Sequence, residues 1–358
     1  MRMKRALAAF LAAGLLLAVS PAAAGEEAAA AETPAPVTDI VLKSGSKGEQ
    51  VLLLQLRLDE LGYDAGAADG AYGSGTKAAV QEFQQRNGLQ ADGKAGPKTL
   101  EKLYSDTAVP MPEPQLVNVL EGPLPMLVNR THPVDERLMP ADMVLLTETL
   151  DTRLVKIKYP DTRAVREAAE ALEALLEAAE ADGVTKWQIS AAYRSYSYQE
   201  RTLNSKISSY LNRNSGWSRE RARSAALRTV QEPGCSEHQL GLAIDINVPG
   251  ASSFAGTKQC KWLHANCWDY GFIVRYTKEK KDITGIDPEA WHIRYVGRDH
   301  ALRIRELGLC LEEYLEGIEN GSVELPGAEE TDRREEAGDG TEPEEPGELE
   351  EIFVDDKV

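Results

Sequence analysis

The stretch CSEHQLGLAIDINV, residues 235–248, combines a buried strand with side chains that a strand interior seldom carries. Its second half is apolar at Leu242 and Ile244, and the carboxylate of Asp245 follows directly. Burying an unpaired carboxylate is costly, so Asp245 needs hydrogen-bonding partners or a cation. His238 could pair with Asp245 structurally, or the two could share a positive ion, and the stretch alone leaves both interpretations open.

The charge balance excludes one large class of partners. The chain has 58 acidic and 40 basic residues and a formal net charge of −18, which argues against nucleic-acid binding. Much of the acidity lies at the end of the chain, where residues 327–358 contain many Glu, Gly and Pro and few large apolar residues. We therefore expect residues 318–358 to form an acidic, disordered tail.

The first 24 residues have the pattern of an export signal. Three basic residues precede the apolar run ALAAFLAAGLLLAVS, and small residues follow at Ala22 and Ala24. The run is shorter than the roughly 20 residues that a membrane span needs. We expect cleavage near Ala24 and a secreted, monomeric protein outside the cytoplasm, with no transmembrane segment after cleavage.

Residues 40–104 contain an internal repeat. DGAYGSGTKAAV, residues 69–80, and DGKAGPKTLEKL, residues 92–103, share D-G-x-x-G-x-x-T followed by apolar positions at helical spacing. Each copy predicts a Gly-rich turn, a Thr suited to capping, and an amphipathic helix. The preceding SGSKGEQVLLLQLRLDELGY predicts a first helix, so three short helices should surround one small core.

These motifs resemble the peptidoglycan-binding type 1 domain. The resemblance rests on LQLRLDELGY, DGAYGSGT, AVQEFQQRNGL and DGKAGPKT, and it covers nearly all of residues 40–104. It implies a non-catalytic module that binds the cell wall. The alternative is a small helical bundle that serves some other contact.

The remainder predicts a linker and a second domain. Residues 105–120 carry three prolines and are typical of a semi-stiff linker, and residues 121–317 have the length of an ordinary domain. Residues 161–183 predict a helix that Asp161 caps and Gly183 ends. The short β segments AIDINV, GFIVRY and WHIRYV lie between helices of uneven length. The fold class is therefore α+β, with a small, mainly antiparallel sheet flanked by helices.

Cysteine spacing leaves the redox state open. An exported chain permits disulfides, and four cysteines allow three pairings. No CxxC spacing indicates a cysteine-ligated zinc. Either buried free thiols or one long-range disulfide fits the sequence. The four cysteines are Cys235, Cys260, Cys267 and Cys310.

A small group of residues could carry hydrolytic chemistry. Zinc in hydrolytic sites takes three ligands from His, Asp and Glu. Among the five histidines, His238 and His292 stand out because each enters an apolar segment near a carboxylate. Together with Asp245 they form a candidate ligand set. Glu289, three residues before His292, is the candidate general base. Each histidine taken singly could instead be a core residue bonded to the backbone.

The same motifs resemble the VanY-like D-alanyl-D-alanine carboxypeptidases, zinc metallopeptidases of the LAS group. SEHQLGLAID matches S-x-H-x-x-G-x-A-x-D, EAWH matches E-x-x-H, and YRSYSYQ matches a third family motif. The resemblance spans the whole second domain. It implies a LAS/hedgehog-like peptidase fold and one Zn²⁺ ion held by His238, Asp245 and His292.

The resemblance also implies roles that spacing does not reveal. Arg194 matches an arginine that polarises the scissile carbonyl or holds the substrate; the alternative is a structural salt bridge. Gln199 and Ser236 match positions that line the substrate cleft. Cys235 departs from the pattern, in which a small hydroxyl residue or Gly is expected.

The expected function is removal of the terminal D-Ala from peptidoglycan stem peptides by a wall-bound enzyme. Two alternatives keep the same polymer and the same zinc site, namely an L,D-carboxypeptidase and a cross-link endopeptidase. A third alternative, a wall-binding protein that has lost catalysis, conflicts with the presence of all three ligands, Glu289 and Arg194.

Overall fold

The computed structural model describes residues 36–66 and 68–326. The predicted signal, residues 1–24, and the acidic segment 327–358 lie outside the described residues. Within the described ranges we find no helical segment with both the length and the hydropathy of a membrane span.

Three helices form the N-terminal module, as the repeat predicts. They are α1 (Glu49–Glu60), α2 (Ser74–Arg86) and α3 (Pro97–Leu103). One apolar cluster lies between them, and Tyr63 meets Phe83 edge-to-face at a centroid distance of 5.5 Å. The apolar spacing read from the sequence therefore describes the buried face of each helix correctly.

The Thr that recurs in both repeats does not cap the helix as predicted. Gly73 and Gly96 occupy the N-cap positions of α2 and α3, and the two threonines are buried one turn further on. Each Thr hydroxyl instead accepts a hydrogen bond from a buried Gln amide, Gln55 to Thr76 and Gln84 to Thr99, both at 3.0 Å. The prediction of capping was wrong because the Gly-rich turn itself begins each helix.

Gln84 binds the second repeat turn through both atoms of its side-chain amide, an arrangement that we call the Gln84 clamp. Its Nε2 also donates to the Asp92 carboxylate and to the Lys94 carbonyl, and its Oε1 accepts from Gly93 N–H at 2.9 Å. Gly93 has φ +71°, a left-handed conformation that favours glycine. The turn sequence and the preceding helix are therefore joined by one buried side chain.

The rest of the described chain alternates short strands with helices. The strands are β1 (Gln115–Val117), β2 (Leu138–Pro140), β3 (Met143–Leu145), β4 (Val155–Ile157), β5 (Arg163–Val165), β6 (Trp187–Ala191), β7 (Ala243–Asn247), β8 (Phe272–Tyr276) and β9 (Glu289–Tyr295). The helices are α4 (Leu146–Thr149), α5 (Arg166–Ala181), α6 (Tyr196–Arg213), α7 (Arg219–Ala226), α8 (Lys258–Asn266), α9 (Lys281–Thr284), α10 (Arg298–Leu307) and α11 (Leu311–Glu319).

Five of these strands form the central sheet, in the order β4-β6-β7-β9-β8. The pair β4–β6 is parallel, and the other three pairs are antiparallel. Two further pairs, β1–β2 and β3–β5, lie outside this sheet. The predicted α+β class with a small, mainly antiparallel sheet is confirmed.

Helix α5 begins later than the sequence indicates. Asp161 does not cap it, because Arg163–Val165 form β5, paired antiparallel with β3, and the helix starts at Arg166. The Val165 N–H also donates to the Gly241 carbonyl at 2.9 Å. Tertiary pairing of the β5 residues therefore overrides their local helical pattern. The end of the helix agrees with the prediction, since Gly183 follows with φ +68°.

The module and the second part of the chain are in contact. The Arg201 guanidinium lies 3.2 Å from the Glu82 carboxylate, and Arg86 lies 2.7 Å from Glu136. The first pair places α2 of the module against the first half of α6, and the second places it against the segment before β2. Strand β1, which falls within the predicted linker, pairs in parallel with β2.

The Gln84 clamp leads to a stability prediction. We expect Gln84→Ala to lower the free energy of unfolding of the module by about 2–4 kcal/mol, because it removes several hydrogen bonds and leaves buried polar groups unpaired. Hydrogen exchange of the α2 and α3 amides in the full chain measures this locally. The neighbouring Gln85→Ala is the control, since Gln85 is exposed and its side-chain amide donates to Glu200 and not to the repeat turn. Equal protection in both variants would contradict the clamp.

Candidate metal centre

His238 is oriented by the turn that precedes β7. It lies in the 3-10 segment Glu237–Leu240, and its Nδ1 is 2.6 Å from the Ala192 carbonyl oxygen. A carbonyl only accepts, so Nδ1 carries the hydrogen and Nε2 keeps its lone pair. Gly241 ends the segment at φ +66°, and a Cβ there would meet the Val165 backbone nitrogen at 3.3 Å. Glycine at this position therefore allows the close turn into β7.

Strand register brings Asp245 and His292 together. They are direct partners across the β7–β9 pair, so their side chains lie on the same face of the sheet. The His292 Nδ1 is 3.0 Å from Asp245 Oδ1, and His238 Nε2 is 3.4 Å from the same oxygen. One ligand atom from each residue lies within 4.8 Å of the others. The structure thus brings together the three residues that the sequence selects as metal ligands.

The donor set fits a zinc ion. Ligand atoms about 2.0–2.1 Å from a tetrahedral Zn²⁺ are separated by about 3.3 Å. The separations from Asp245 Oδ1 of 3.0 and 3.4 Å bracket that value. Two imidazole nitrogens and one carboxylate oxygen are a usual ligand combination for hydrolytic zinc. His238, Asp245 and His292 are therefore the residues that would hold the ion.

Burial and neighbouring charges shift the pKa values of all three residues. Burial and the Arg194 charge lower the pKa of His238 to about 4, so its imidazole is neutral at neutral pH. Burial alone would raise the pKa of Asp245, but His238, His292 and Arg194 hold it well below its usual range. Burial also opposes protonation of His292. The nearby carboxylates outweigh burial and raise the pKa of His292 to about 9. Metal binding at His292 must therefore displace a proton.

A strand irregularity brings Glu289 to the same cleft. In a regular strand, residues three apart point to opposite faces. Along β9, however, the pairing with β8 passes from Val274↔Ile293 to Tyr276↔Glu289, so β9 carries extra residues between the two pairs. As a result Glu289 Oε2 lies 4.0 Å from His292 Nδ1. Burial raises the pKa of Glu289 to about 7, which suits a group that exchanges protons near neutral pH.

Arg194 lies in the loop after β6 and faces the ligand residues. Its Nη2 is 2.9 Å from Asp245 Oδ2 and 2.8 Å from His238 Nε2, and its Nη1 donates to Gln199 Oε1 at 2.9 Å. Its backbone N–H donates to the His238 carbonyl. Two of the candidate ligands and one cleft residue therefore hold the guanidinium.

The cleft beside these groups has a mixed polar and apolar wall. Gln199 and Ser236, the two predicted substrate-binding residues, both line it, and Gln199 Nε2 donates to the Gln231 carbonyl at 2.8 Å. Cys235 is buried and is not among the lining residues. Residues that the sequence did not single out complete the wall. They are Thr229, Val230, Gln231, Tyr276 and Ile286.

Sequence reasoning missed a buried ion cluster behind His292. The Glu237 carboxylate lies 2.8 Å from the Arg275 Nε and 3.0 Å from the Arg294 Nη1. Burial alone would raise the pKa of Glu237, but the two guanidinium groups lower it strongly. The sequence contained a sign of this cluster. GFIVRY and WHIRYV each carry one arginine among apolar residues, and a buried arginine requires a carboxylate partner.

The four cysteines are buried free thiols. This agrees with one of the two interpretations that the sequence left open. Burial raises the pKa of Cys267 and Cys310, the latter to about 11, so these thiols are weak nucleophiles.

Two family models match the chain. The VanY model, described as D-alanyl-D-alanine carboxypeptidase, matches residues 162–298, and a model of a peptidoglycan binding domain matches residues 47–103. The first range contains every residue of the candidate metal centre. The second contains the three helices of the module.

Several known proteins are similar to this chain. A D-alanyl-D-alanine carboxypeptidase of Enterococcus faecium is 30% identical over 276 residues, which cover 74% of this chain and 77% of that protein. One of Enterococcus faecalis is 43% identical over 144 residues, covering 40% of this chain and only about half, 52%, of that protein. The zinc D-Ala-D-Ala carboxypeptidase of Streptomyces albus G is 51% identical over 67 residues, 18% of this chain and 26% of that protein.

A solved structure is also similar. VanYB in complex with D-alanine-D-alanine is 36% identical, and the match covers 53% of this chain and 96% of that chain with a TM-score of 0.46.

The raised pKa of Glu289 predicts a pH-dependent stability for the metal-free protein. Its pKa is about 7 in the folded chain and 4.5 ordinarily, so the folded state binds the proton more tightly. Between about pH 4.5 and 7 the folded protein should therefore lose stability relative to Glu289→Gln, by at most about 3 kcal/mol. Denaturant unfolding at pH 5 and pH 7.5 in chelator measures the difference.

The exposed Glu306→Gln provides the control for this comparison and should follow the parent at both pH values. A constant offset between the parent and Glu289→Gln across the pH range would contradict the raised pKa of Glu289.

Proposed function

We propose that this chain, a member of the VanY family of D-alanyl-D-alanine carboxypeptidases, is a zinc enzyme. The reaction that we propose is removal of the terminal D-Ala from peptidoglycan stem peptides. The observation that carries the proposal is the convergence of His238, Asp245 and His292, with Glu289 and Arg194 at the same cleft. A relative in Streptomyces albus G is named a zinc D-Ala-D-Ala carboxypeptidase, which supports the choice of metal. We propose one ion per chain, because one ligand set of this kind occurs among the described residues.

Zinc in such a site supplies Lewis acidity, which activates water and polarises a peptide carbonyl. Glu289 would take a proton from the attacking water and return it to the amine of the leaving D-Ala, so that the C–N bond breaks as the new carboxylate forms. The position of Glu289, 4.0 Å from the candidate ligand His292, suits it to both transfers. Glu289 is only 6% exposed and shares the cleft wall with Tyr276 and Ile286.

Arg194 would bind negative charge on the substrate. A carboxypeptidase must recognise a C-terminal carboxylate, and hydrolysis places negative charge on the carbonyl oxygen. A planar guanidinium can serve either need with two directed N–H groups. Gln199 and Ser236 would orient the peptide, since both side chains lie on the cleft wall.

The N-terminal module would hold the enzyme on its polymer. Its family model is that of a peptidoglycan binding domain, and tethering raises the effective concentration of stem peptides. Export by the predicted signal would bring the protein to the wall. Peptidoglycan and its stem peptides are therefore the partners that we propose for the secreted protein.

Defined stem peptides test the proposal. The zinc-loaded full chain should release D-Ala from a pentapeptide stem, with the products identified by mass spectrometry. Cleavage of a tetrapeptide stem instead would assign L,D-carboxypeptidase activity, and cleavage of cross-linked dimers would assign endopeptidase activity. A protein that binds zinc and sacculi but cleaves none of these substrates would be a wall-binding protein without catalysis.

Glu289 should be needed for turnover and not for metal binding. We expect Glu289→Gln to retain zinc, measured by atomic absorption, and to lower kcat on the pentapeptide about 10²–10⁴-fold, because general acid–base groups contribute that much. The exposed Glu306→Gln serves as the control with parental activity. Loss of zinc from Glu289→Gln would move Glu289 from proton transfer into the ligand set.

Arg194 should act on the substrate and not on the fold. We expect Arg194→Lys to keep zinc and folding but to lose activity, because an ammonium cannot reproduce the paired guanidinium contacts. A fall in kcat with little change in KM indicates transition-state stabilisation, and a larger rise in KM indicates carboxylate capture. Parental kinetics in the variant would leave Arg194 as a structural partner of Asp245.

A further inference from the structure

Glu237 lies directly behind the candidate metal centre and has no access to solvent, with a side-chain exposure of 0%. Its Oε1 faces two guanidinium groups, those of Arg275 at 2.8 Å and Arg294 at 3.0 Å. Its Oε2 has no hydrogen-bond partner and lies 3.6 Å from the Nε2 of His292. That ring nitrogen is also buried without a partner.

Two unpartnered buried polar atoms next to each other require an explanation. A buried polar atom without a partner is destabilising, and the 3.6 Å between these two atoms is only slightly longer than a hydrogen bond. The other ring nitrogen of His292, Nδ1, faces Asp245 Oδ1 at 3.0 Å. An imidazole that binds a metal through Nδ1 carries its hydrogen on Nε2. In His292 that hydrogen would point at Glu237.

We propose that Glu237 is a positioning residue of the metal site, which accepts the Nε2–H of His292 and so presents Nδ1 to the metal. The inference rests on the proposed function, since it takes the three ligands to bind zinc. Metal-binding histidines commonly donate their second N–H to a carboxylate, which fixes the ring and its tautomer. Arg275 and Arg294 make the ionised form of Glu237 tolerable in the core.

The charge network behind Glu237 extends to the last helix of the described chain. The Arg275 guanidinium also binds Glu312 of α11, through contacts of 2.8 and 2.6 Å. Glu312 in turn accepts from Asn129 Nδ2 at 3.3 Å. Glu237 and Glu312 therefore hold the same arginine, but the contacts of Glu312 do not include His292. This difference offers a matched pair of variants.

The experiment compares Glu237→Gln with Glu312→Gln in the full chain. Zinc affinity is measured by competition with a chromophoric chelator, and the visible spectrum is recorded after substitution with Co²⁺. In Glu237→Gln one amide oxygen can still face the arginines, but the amide N–H would oppose the ring N–H. We expect zinc binding to weaken about 10–100-fold and the Co²⁺ bands to shift.

Glu312→Gln should behave differently. It removes charge from the same arginine, so it should lower the melting temperature of the metal-free protein while leaving zinc affinity within about threefold of the parent and the Co²⁺ spectrum unchanged. Equal loss of zinc in both variants would overturn the proposal, because the effect would then come from the stability of the ion network. Parental zinc affinity in Glu237→Gln would overturn it directly.

A measurement on the parent keeps the proposal testable if Glu237→Gln does not fold. Nitrogen-15 NMR of the histidines in the zinc-loaded parent should show His292 coordinated through Nδ1, with a slowly exchanging hydrogen on Nε2. Coordination through Nε2, or rapid exchange of that hydrogen with solvent, would overturn the role of Glu237. A parent that takes up no zinc would overturn the proposed function as well, whereas a zinc-binding parent with either contrary result overturns only this inference.

Discussion

The buried carboxylate of Asp245 explains much of the arrangement around the candidate metal centre. It lies on β7, in the middle of the central sheet, and is only 9% exposed. A carboxylate there must be compensated, and Arg194 and His292 supply that compensation. The neutral imidazole of His238 lies beside them, with its Nε2 3.4 Å from Asp245 Oδ1. The 3-10 turn, the register of β7 on β9 and the loop after β6 each deliver one of these groups to the same oxygens.

His292 connects two charge clusters with different properties. On the cleft side its Nδ1 faces Asp245, near Glu289 and the cleft wall. On the core side its Nε2 faces Glu237, which two arginines hold. Buried ion pairs add little net stability, but breaking one leaves an uncompensated charge. The core cluster therefore fixes geometry more than it adds free energy, whereas the cleft cluster holds the groups whose protonation can change.

Buried polar groups in the module are also satisfied by specific hydrogen-bonding partners. One buried glutamine amide per repeat satisfies the backbone and side-chain groups of the following turn, which explains why each turn carries Asp, Gly and Thr at fixed positions. Helix α2 also meets the beginning of α6, the helix that carries Gln199. The module thus lies against the element that forms part of the cleft wall.

Features that depend on local pattern could be predicted from the amino-acid sequence. The repeat in residues 40–104 predicted three helices because helix spacing and turn residues are local properties, and the α+β class followed from the alternation of short strands and helices. The candidate ligands His238, Asp245 and His292, with Glu289 and Arg194, could be selected because few residue types bind zinc and the motifs fix their spacing.

Features that depend on pairing between distant segments could not be predicted from local pattern and became visible in the folded chain. The start of α5 moved because β5 pairs with β3, a contact that the helical pattern of residues 161–183 does not contain. Glu289 shares a face of the sheet with His292 because the β8–β9 register shifts between them. In a regular strand, two residues three positions apart would point to opposite faces. Glu237 meets Arg275 and Arg294 because the turn before β7 folds over two later strands, and no local rule pairs charges so far apart in the chain.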